Sequence, residues 1–377
     1  MSALDSVART AVPRKGRLSI NVAANLGHLV LTTATGIFLV PFLVRHLGVA
    51  AYGLIPLTLN VAFYLRVFTA ALNVTVGRFL TIALERSDDL EANRVFNTAL
   101  IGNLALAAVL LGPSWLMVNH AEQLFNVPSG YETEARLLFA CAIGMFMLTT
   151  ISNSFHVSSY CRNRFDLRNL VFIAGLLGYV GVIIALFKLF EPSIWQVGVA
   201  GLAQGTLVLL GAVVTWRWLT PTLHVRPRCF ASHILKQLTA MGGWVVVSQV
   251  GVILFLSVEV LIVNRMFGAE AGGQYAVALQ WSMLLRSIAG AIAGVFAPTV
   301  LALYAHADIG GLVRYIRRAV RLTGLAMVLP VGLVCGFSKP LLTVWLGEEF
   351  ASLALLMSLL TIHLSVNLGF LPVHSVP

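Results

Sequence analysis

The sequence predicts an all-α polytopic membrane bundle of about ten spans, arranged as two parallel-repeat lobes of six helices with the second lobe incomplete. Three observations predict it. The first is composition: 58% of the 377 residues are hydrophobic and only 11% charged, and the mean hydropathy is +0.89, more apolar surface than a water-soluble fold of this length can hide. The second is the placement of charge. The third is a duplication at a fixed offset.

Apolar runs of about 20 residues or more fall at roughly 18–44, 53–84, 95–118, 136–160, 170–190, 194–219, 237–264, 272–304, 315–337 and 352–372. The run after the basic amino terminus (Arg9, Arg14, Lys15, Arg17) is too long for a signal peptide and reads as the first span. Of the 25 Lys and Arg residues, 18 lie in alternate loops on one side and five on the other (Arg45, Arg136, Lys188, Arg265 and Lys339). By the positive-inside rule the amino terminus is cytoplasmic. The net charge of +10 is spread over these loops rather than gathered in a patch, so no nucleic-acid partner is predicted. The four cysteines (Cys141, Cys161, Cys229 and Cys335) form no CxxC pair. They read as lone thiols, with no metal site, disulfide or cofactor.

The duplication is seen in RHLGVAAYGLIPLTLNVAFYLR, Arg45 to Arg66, and RMFGAEAGGQYAVALQWSMLLR, Arg265 to Arg286. Arg45/Arg265, Gly48/Gly268, Gly53/Gly273 and Arg66/Arg286 are each 220 residues apart, as are Asp88/Asp308 and Arg94/Arg314. Six spans fit within that offset, an even number, so the copies point the same way across the membrane. The predicted organisation is a first lobe over 1–220, a basic Pro-containing linker over 221–236, and a second lobe over 237–377. The register places the end of a full second copy near residue 440, so a continuation beyond Pro377 with a basic loop and two further spans is expected.

An arginine at mid-membrane costs about 2.5–3.5 kcal/mol even on lenient scales, so Arg66 and Arg286 at the same depth in both copies argue for use. On the first span Asn21, Asn25, His28, Thr32 and Thr35 share one helical face, and on the second Phe63, Arg66, Ala70, Asn73 and Gly77 do. Interhelical hydrogen bonding and cavity lining both account for the first face. Small residues beside each arginine favour a hydrated cavity, with Leu57 as a lipid-facing reference position. Glu259 is the one carboxylate inside a span, and it reads either as half of an ion pair with Arg45 or Arg265 or as a site for ion coupling. Trp115, Trp195, Trp216, Trp218 and Trp345 fall near span ends and read as interfacial anchors.

The loop LGVAAYGL (Leu47 to Leu54), its partner FGAEAGGQYAVA (Phe267 to Ala278) and Glu259 nine residues before Gly268 resemble polysaccharide-unit flippases of the Wzx type, in the multidrug/oligosaccharidyl-lipid/polysaccharide exporter superfamily. That resemblance covers nearly the whole chain through loose motifs. It implies two lobes around a central cavity lined by the first, second, seventh and eighth helices, a bacterial inner membrane, and no bond-breaking chemistry. It also implies a polyprenyl-diphosphate-linked glycan as substrate, the lipid bilayer as its medium, and glycan polymerase or ligase proteins as partners. The substrate-binding candidates are Arg66, Arg286, Asn73, Asn25 and His28. Glu259 is the coupling candidate, and Arg45, Gly48, Gly53, Arg265, Gly268 and Gly273 are the gate or loop candidates. Two other readings stand beside it: a multidrug cation antiporter of the same superfamily, and a membrane glycan polymerase or ligase. A cation site calls for more carboxylates, and an enzyme calls for a larger loop than Asn119 to Ala135, which offers His120, Glu122, Glu132 and Glu134.

Overall fold

Runs of Leu, Ala, Val and Phe without an internal stop continue as helix until a glycine with positive φ or a capping aspartate ends them. In the computed structural model of the chain, which describes residues 15–256, 258–305 and 308–375, Gly48 ends the first long helix in this way, and Asp88 and Asp308 mark the starts of two later ones. Arg9 and Arg14 of the predicted basic terminus lie outside the described residues. The long helices are α1 (Lys15–Leu47), α2 (Val49–Glu85), α3 (Asp89–Asn119), α5 (Glu132–Cys161), α6 (Phe165–Leu189), α7 (Ile194–Leu219), α8 (Ser232–Leu256), α9 (Val258–Ala305) and α10 (Ile309–Gly336). Shorter pieces are α4 (Ala121–Leu124), α11 (Ser338–Leu346), α12 (Ala354–Ile362) and α13 (Leu364–Asn367).

Among the described residues, nine helices are long and apolar enough to cross a membrane, and there is no strand. One of the nine, Gly243–Phe296, is 54 residues long. At 1.5 Å per residue it would extend about 80 Å, well over twice the hydrocarbon thickness of about 30 Å. Gly268 breaks it with φ 94° and ψ 175°, between the predicted spans 237–264 and 272–304.

The duplication is built into the backbone. Gly48 and Gly268 both take positive φ, 79° and 94°. Asp88 caps α3 by accepting the Glu91 N–H, and Asp308 caps α10 by accepting the Gly311 N–H. Their φ/ψ values, −89°/82° and −81°/76°, nearly coincide. Even the turn bonds repeat, Asp88 N–H to Ala83 O and Asp308 N–H to Leu303 O. The same local chemistry at a 220-residue offset gives the same helix ends in both copies.

Contacts divide the chain into two units, 1–32 with 54–269, and 33–53 with 270–377. Within the first, α5 packs closely along α7, and the buried core includes Phe96, Phe155 and Trp216. Phe96 stacks on Trp216 at 5.4 Å, and Phe155 meets the same indole edge-on at 5.2 Å. Trp216 is therefore a core residue and not an interfacial anchor: a flat ring at the α7 end finds two aromatic partners inside the unit. Trp115 and Trp218 are exposed. Leu57 is 1% exposed, so it is no lipid-facing reference either.

The segment after α7 is strapped to α3. Asn93 Nδ2 donates to Thr222 O and its Oδ1 accepts the His224 N–H, while Asn97 Nδ2 donates to His224 O and its Oδ1 accepts the Arg226 N–H. Thr98 Oγ1 takes the Ala231 N–H. Each asparagine thus stands in for a strand neighbour, satisfying a donor and an acceptor of extended backbone. Asn97→Leu is expected to orphan two backbone groups at about 1–3 kcal/mol each, and to speed trypsin cleavage after Arg228 by tenfold or more. Unchanged cleavage would show that the amides do not hold the strap.

In the second unit, Ser282 Oγ donates to Leu360 O, and Ser358 Oγ donates to Cys335 O. Trp345 Nε1 donates to Ile37 O at 2.6 Å and its ring meets Trp281 edge-on. Trp345 is thus also engaged inside the protein rather than free to anchor at an interface.

Candidate functional site

Arg66 sits halfway along α2, and no carboxylate of a described residue pairs with it. Its guanidinium carbon stands 6.0 Å from the Phe63 ring centroid, one turn earlier, and the residue is exposed. Its backbone carbonyl accepts the Thr69 hydroxyl. Arg286, its mate by register on α9, is half-buried and donates from Nη2 to His363 Nε2 at 3.2 Å. The imidazole nitrogen accepts from this N–H, so the contact fixes the direction of the guanidinium. His363 was not singled out from the sequence. Its register position in the first copy is Ile143, so the duplication carried no signal for it.

Asn73, two turns beyond Arg66, accepts from Asn103 Nδ2 at 3.0 Å, and the same amide nitrogen reaches Ser154 Oγ. This joins α2, α3 and α5 by polar bonds. The polar face of α1 is likewise engaged. Asn21 donates to Asn163 and accepts the Asp166 N–H, and Asn25 accepts from Asn169 Nδ2 at 2.6 Å. His28 lies 3.5 Å from Thr32 Oγ1 and 5.8 Å from the Phe172 ring. Asn21 and Asn25 thus bond between helices, whereas His28 contacts Thr32 within α1, and on that face Asn25 stays exposed and His28 half-buried.

Glu259 is half-buried at the start of α9. Arg45 and Arg265 are exposed, and the Arg265 carbonyl accepts from Asn126 Nδ2 at 3.0 Å. Gly53 and Gly273 are buried. A Cβ on Gly273 would stand 2.2 Å from the Val49 carbonyl oxygen, so the two duplicated loops touch within the second unit. Gly48 and Gly268 have open space around them and serve by their positive φ.

The carboxylates of the loop after α3 are engaged in local structure. Glu122 pairs with Arg136 at 2.8 Å, Glu132 accepts the Gly130 N–H, and Glu134 accepts from Ser193 Oγ. No group of His, Cys, Asp and Glu able to hold a metal occurs among the described residues.

The fold and the site together define a duplicated, multi-pass helical membrane protein with an arginine at the same register position in each copy. The chain belongs to the family described as "Polysaccharide biosynthesis protein", which matches residues 21–303. It is 34% identical over 356 residues to the "Uncharacterized membrane protein EpsK" of Bacillus subtilis (strain 168), spanning 94% of this chain and 70% of that protein. Its fold is similar to that of a solved structure described as the "Outward-facing conformation of a multidrug resistance MATE family transporter of the MOP superfamily". That likeness has a TM-score of 0.60 and 17% identity, over 95% of this chain and 81% of the other. A MOP superfamily transporter from Pyrococcus furiosus Vc1 (DSM3638), described by a "reverse polarity of binding pocket", matches with TM-score 0.60 and 17% identity over 95% and 83%.

Proposed function

We propose that the chain flips polyprenyl-diphosphate-linked oligosaccharide or polysaccharide repeat units across the bacterial inner membrane by alternating access, with its amino terminus cytoplasmic. The carrying observation is the pair Arg66 and Arg286, one guanidinium at the same register position in each copy of a duplicated backbone, in a family of polysaccharide biosynthesis proteins. A guanidinium forks onto phosphate oxygens and keeps its charge at any physiological pH. Each copy contributes one such donor to the substrate diphosphate, and the prenyl chain stays in lipid. The lobes 1–220 and 237–377, joined by 221–236, rock around the head group as parallel repeats do. Arginine rather than carboxylate at these positions is in keeping with a reversed pocket polarity of the kind described for the Pyrococcus transporter. Asn73, Asn25 and His28 add hydrogen bonds to the glycan, and glycan polymerase or ligase proteins receive the product.

The test uses the purified chain in vesicles holding a fluorescent prenyl-diphosphate glycan, with its arrival in the outer leaflet read by a membrane-impermeant quencher. Arrival no faster than in protein-free vesicles would overturn the function. Glu259 is assigned to coupling. Glu259→Gln keeps the shape of the side chain and removes its charge, so transport is expected to run downhill both ways yet ignore an imposed proton or sodium gradient. A Glu259→Gln protein that still accumulates substrate against its gradient would make Glu259 structural.

A further inference from the structure

The start of α10 carries Arg314, Arg317, Arg318 and Arg321, at spacings of three, one and three residues, which put all four on one helical face. All four are exposed and, with Leu322, line a cavity of about 430 Å³. No carboxylate of a described residue lies within 4 Å of any of them. Asp308, the nearest acid in sequence, is taken up in capping the Gly311 N–H.

The duplication says what kind of ligand such a face selects. In the first copy the matching positions are Arg94, Asn97, Thr98 and Ile101. There Asn97 and Thr98 accept backbone N–H groups of the strap, and Arg94 is paired with Glu91 at 3.7 Å. In the second copy Asn97 and Thr98 become Arg317 and Arg318, and Glu91 becomes Gly311. Arginine has five N–H donors and no acceptor. The acceptors of the face have therefore been replaced by donors and the paired acid removed, so this face cannot bind extended backbone as its counterpart does. It selects a ligand made of acceptors only, an oxyanion.

Depth narrows the source. At 28 residues α10 is about 42 Å long, some 12 Å more than the hydrocarbon core needs. The capping Asp308 and the four arginines place that surplus at the start of the helix, level with lipid head groups, with Arg321 snorkelling from one turn deeper. We propose that Arg314, Arg317, Arg318 and Arg321 form a binding site for the phosphate of an anionic membrane lipid, independent of the substrate assigned to Arg66 and Arg286.

The full chain, purified in detergent, is titrated with phosphatidylglycerol, phosphatidylcholine or inorganic pyrophosphate, and bound species are counted by native mass spectrometry. Phosphatidylglycerol is expected to bind at least tenfold more tightly than phosphatidylcholine. The double substitution Arg317→Gln/Arg318→Gln is expected to weaken it tenfold or more at an unchanged melting temperature. Unchanged phosphatidylglycerol binding in that variant overturns the site. Equal binding by wild type and Arg317→Lys/Arg318→Lys overturns the guanidinium fork and leaves only the general charge bias of the loop. Pyrophosphate that binds as tightly as the lipid overturns the lipid source.

Discussion

Replacing Arg286 by alanine is expected to slow the flipping of a prenyl-diphosphate glycan by about 10- to 100-fold, with the amount of protein in the membrane nearly unchanged. A hydrogen bond to a charged group contributes about 1.5–3 kcal/mol, and a forked pair sits at the upper end of that range. Arg66→Ala is expected to act alike, because Arg66 has the same register position. The two guanidinium groups differ in their surroundings: Arg286 bonds to His363, whereas Arg66 has only the Phe63 ring beside it among its described side-chain contacts. His363→Ala should therefore lower transport only a few-fold, by loosening the aim of Arg286. Lysine at 286 keeps the charge and loses the fork, so partial transport is expected. The measurement is initial rate in vesicles at matched protein density. If Arg66→Ala and Arg286→Ala both transport at the wild-type rate, the diphosphate contact is wrong, whatever else the family shares.

The fold was legible because two independent signals in the sequence coincide. Apolar length specified the helices, and the 220-residue offset specified which helix ends match, down to the capping bonds of Asp88 and Asp308. What stayed hidden were pairings set by tertiary packing. Trp216 lies at a span end in sequence, yet Phe96 and Phe155 draw it into the core, since stacking on two rings outweighs an interfacial position. Leu57 has nothing in its own sequence context to separate it from a lipid-facing leucine, because lipid and protein interior are equally apolar. The asparagines of α1 were legible as a polar stripe, but their partners Asn163 and Asn169 lie more than 140 residues away. In the candidate site the arginines were visible because a charge in a membrane helix stands out. His363, polar but uncharged and without a counterpart in the first copy, did not.

Three of the glycines named as gate or loop candidates, Gly48, Gly268 and Gly273, separate by physical cause, and that separation sets an order of effects. At Gly48, φ is 79° with open space around the Cα, so alanine there meets only the left-handed backbone penalty of about 1–2 kcal/mol. Gly268, with φ 94° and ψ 175°, lies in a region nearly restricted to glycine, where a side chain costs about 1–3 kcal/mol. Gly273 is helical and buried, and its difficulty is space: an added Cβ would overlap the Val49 carbonyl oxygen at 2.2 Å. Neither partner is a flexible side-chain tip, so backbone must move, which puts the cost at the upper end of the usual overpacking range of about 1–3 kcal/mol. Gly273→Ala is thus expected to lower the melting temperature of the purified protein more than Gly48→Ala or Gly268→Ala does. It should also cut transport most, since Val49 and Gly273 belong to the two duplicated loops. Co-substitution cannot relieve it by trimming Val49, because the obstructing atom is main chain, so Gly273→Ala/Val49→Ala should remain as unstable as Gly273→Ala alone. Recovery of stability in that double variant would place the clash in the Val49 side chain and refute the backbone contact between the loops.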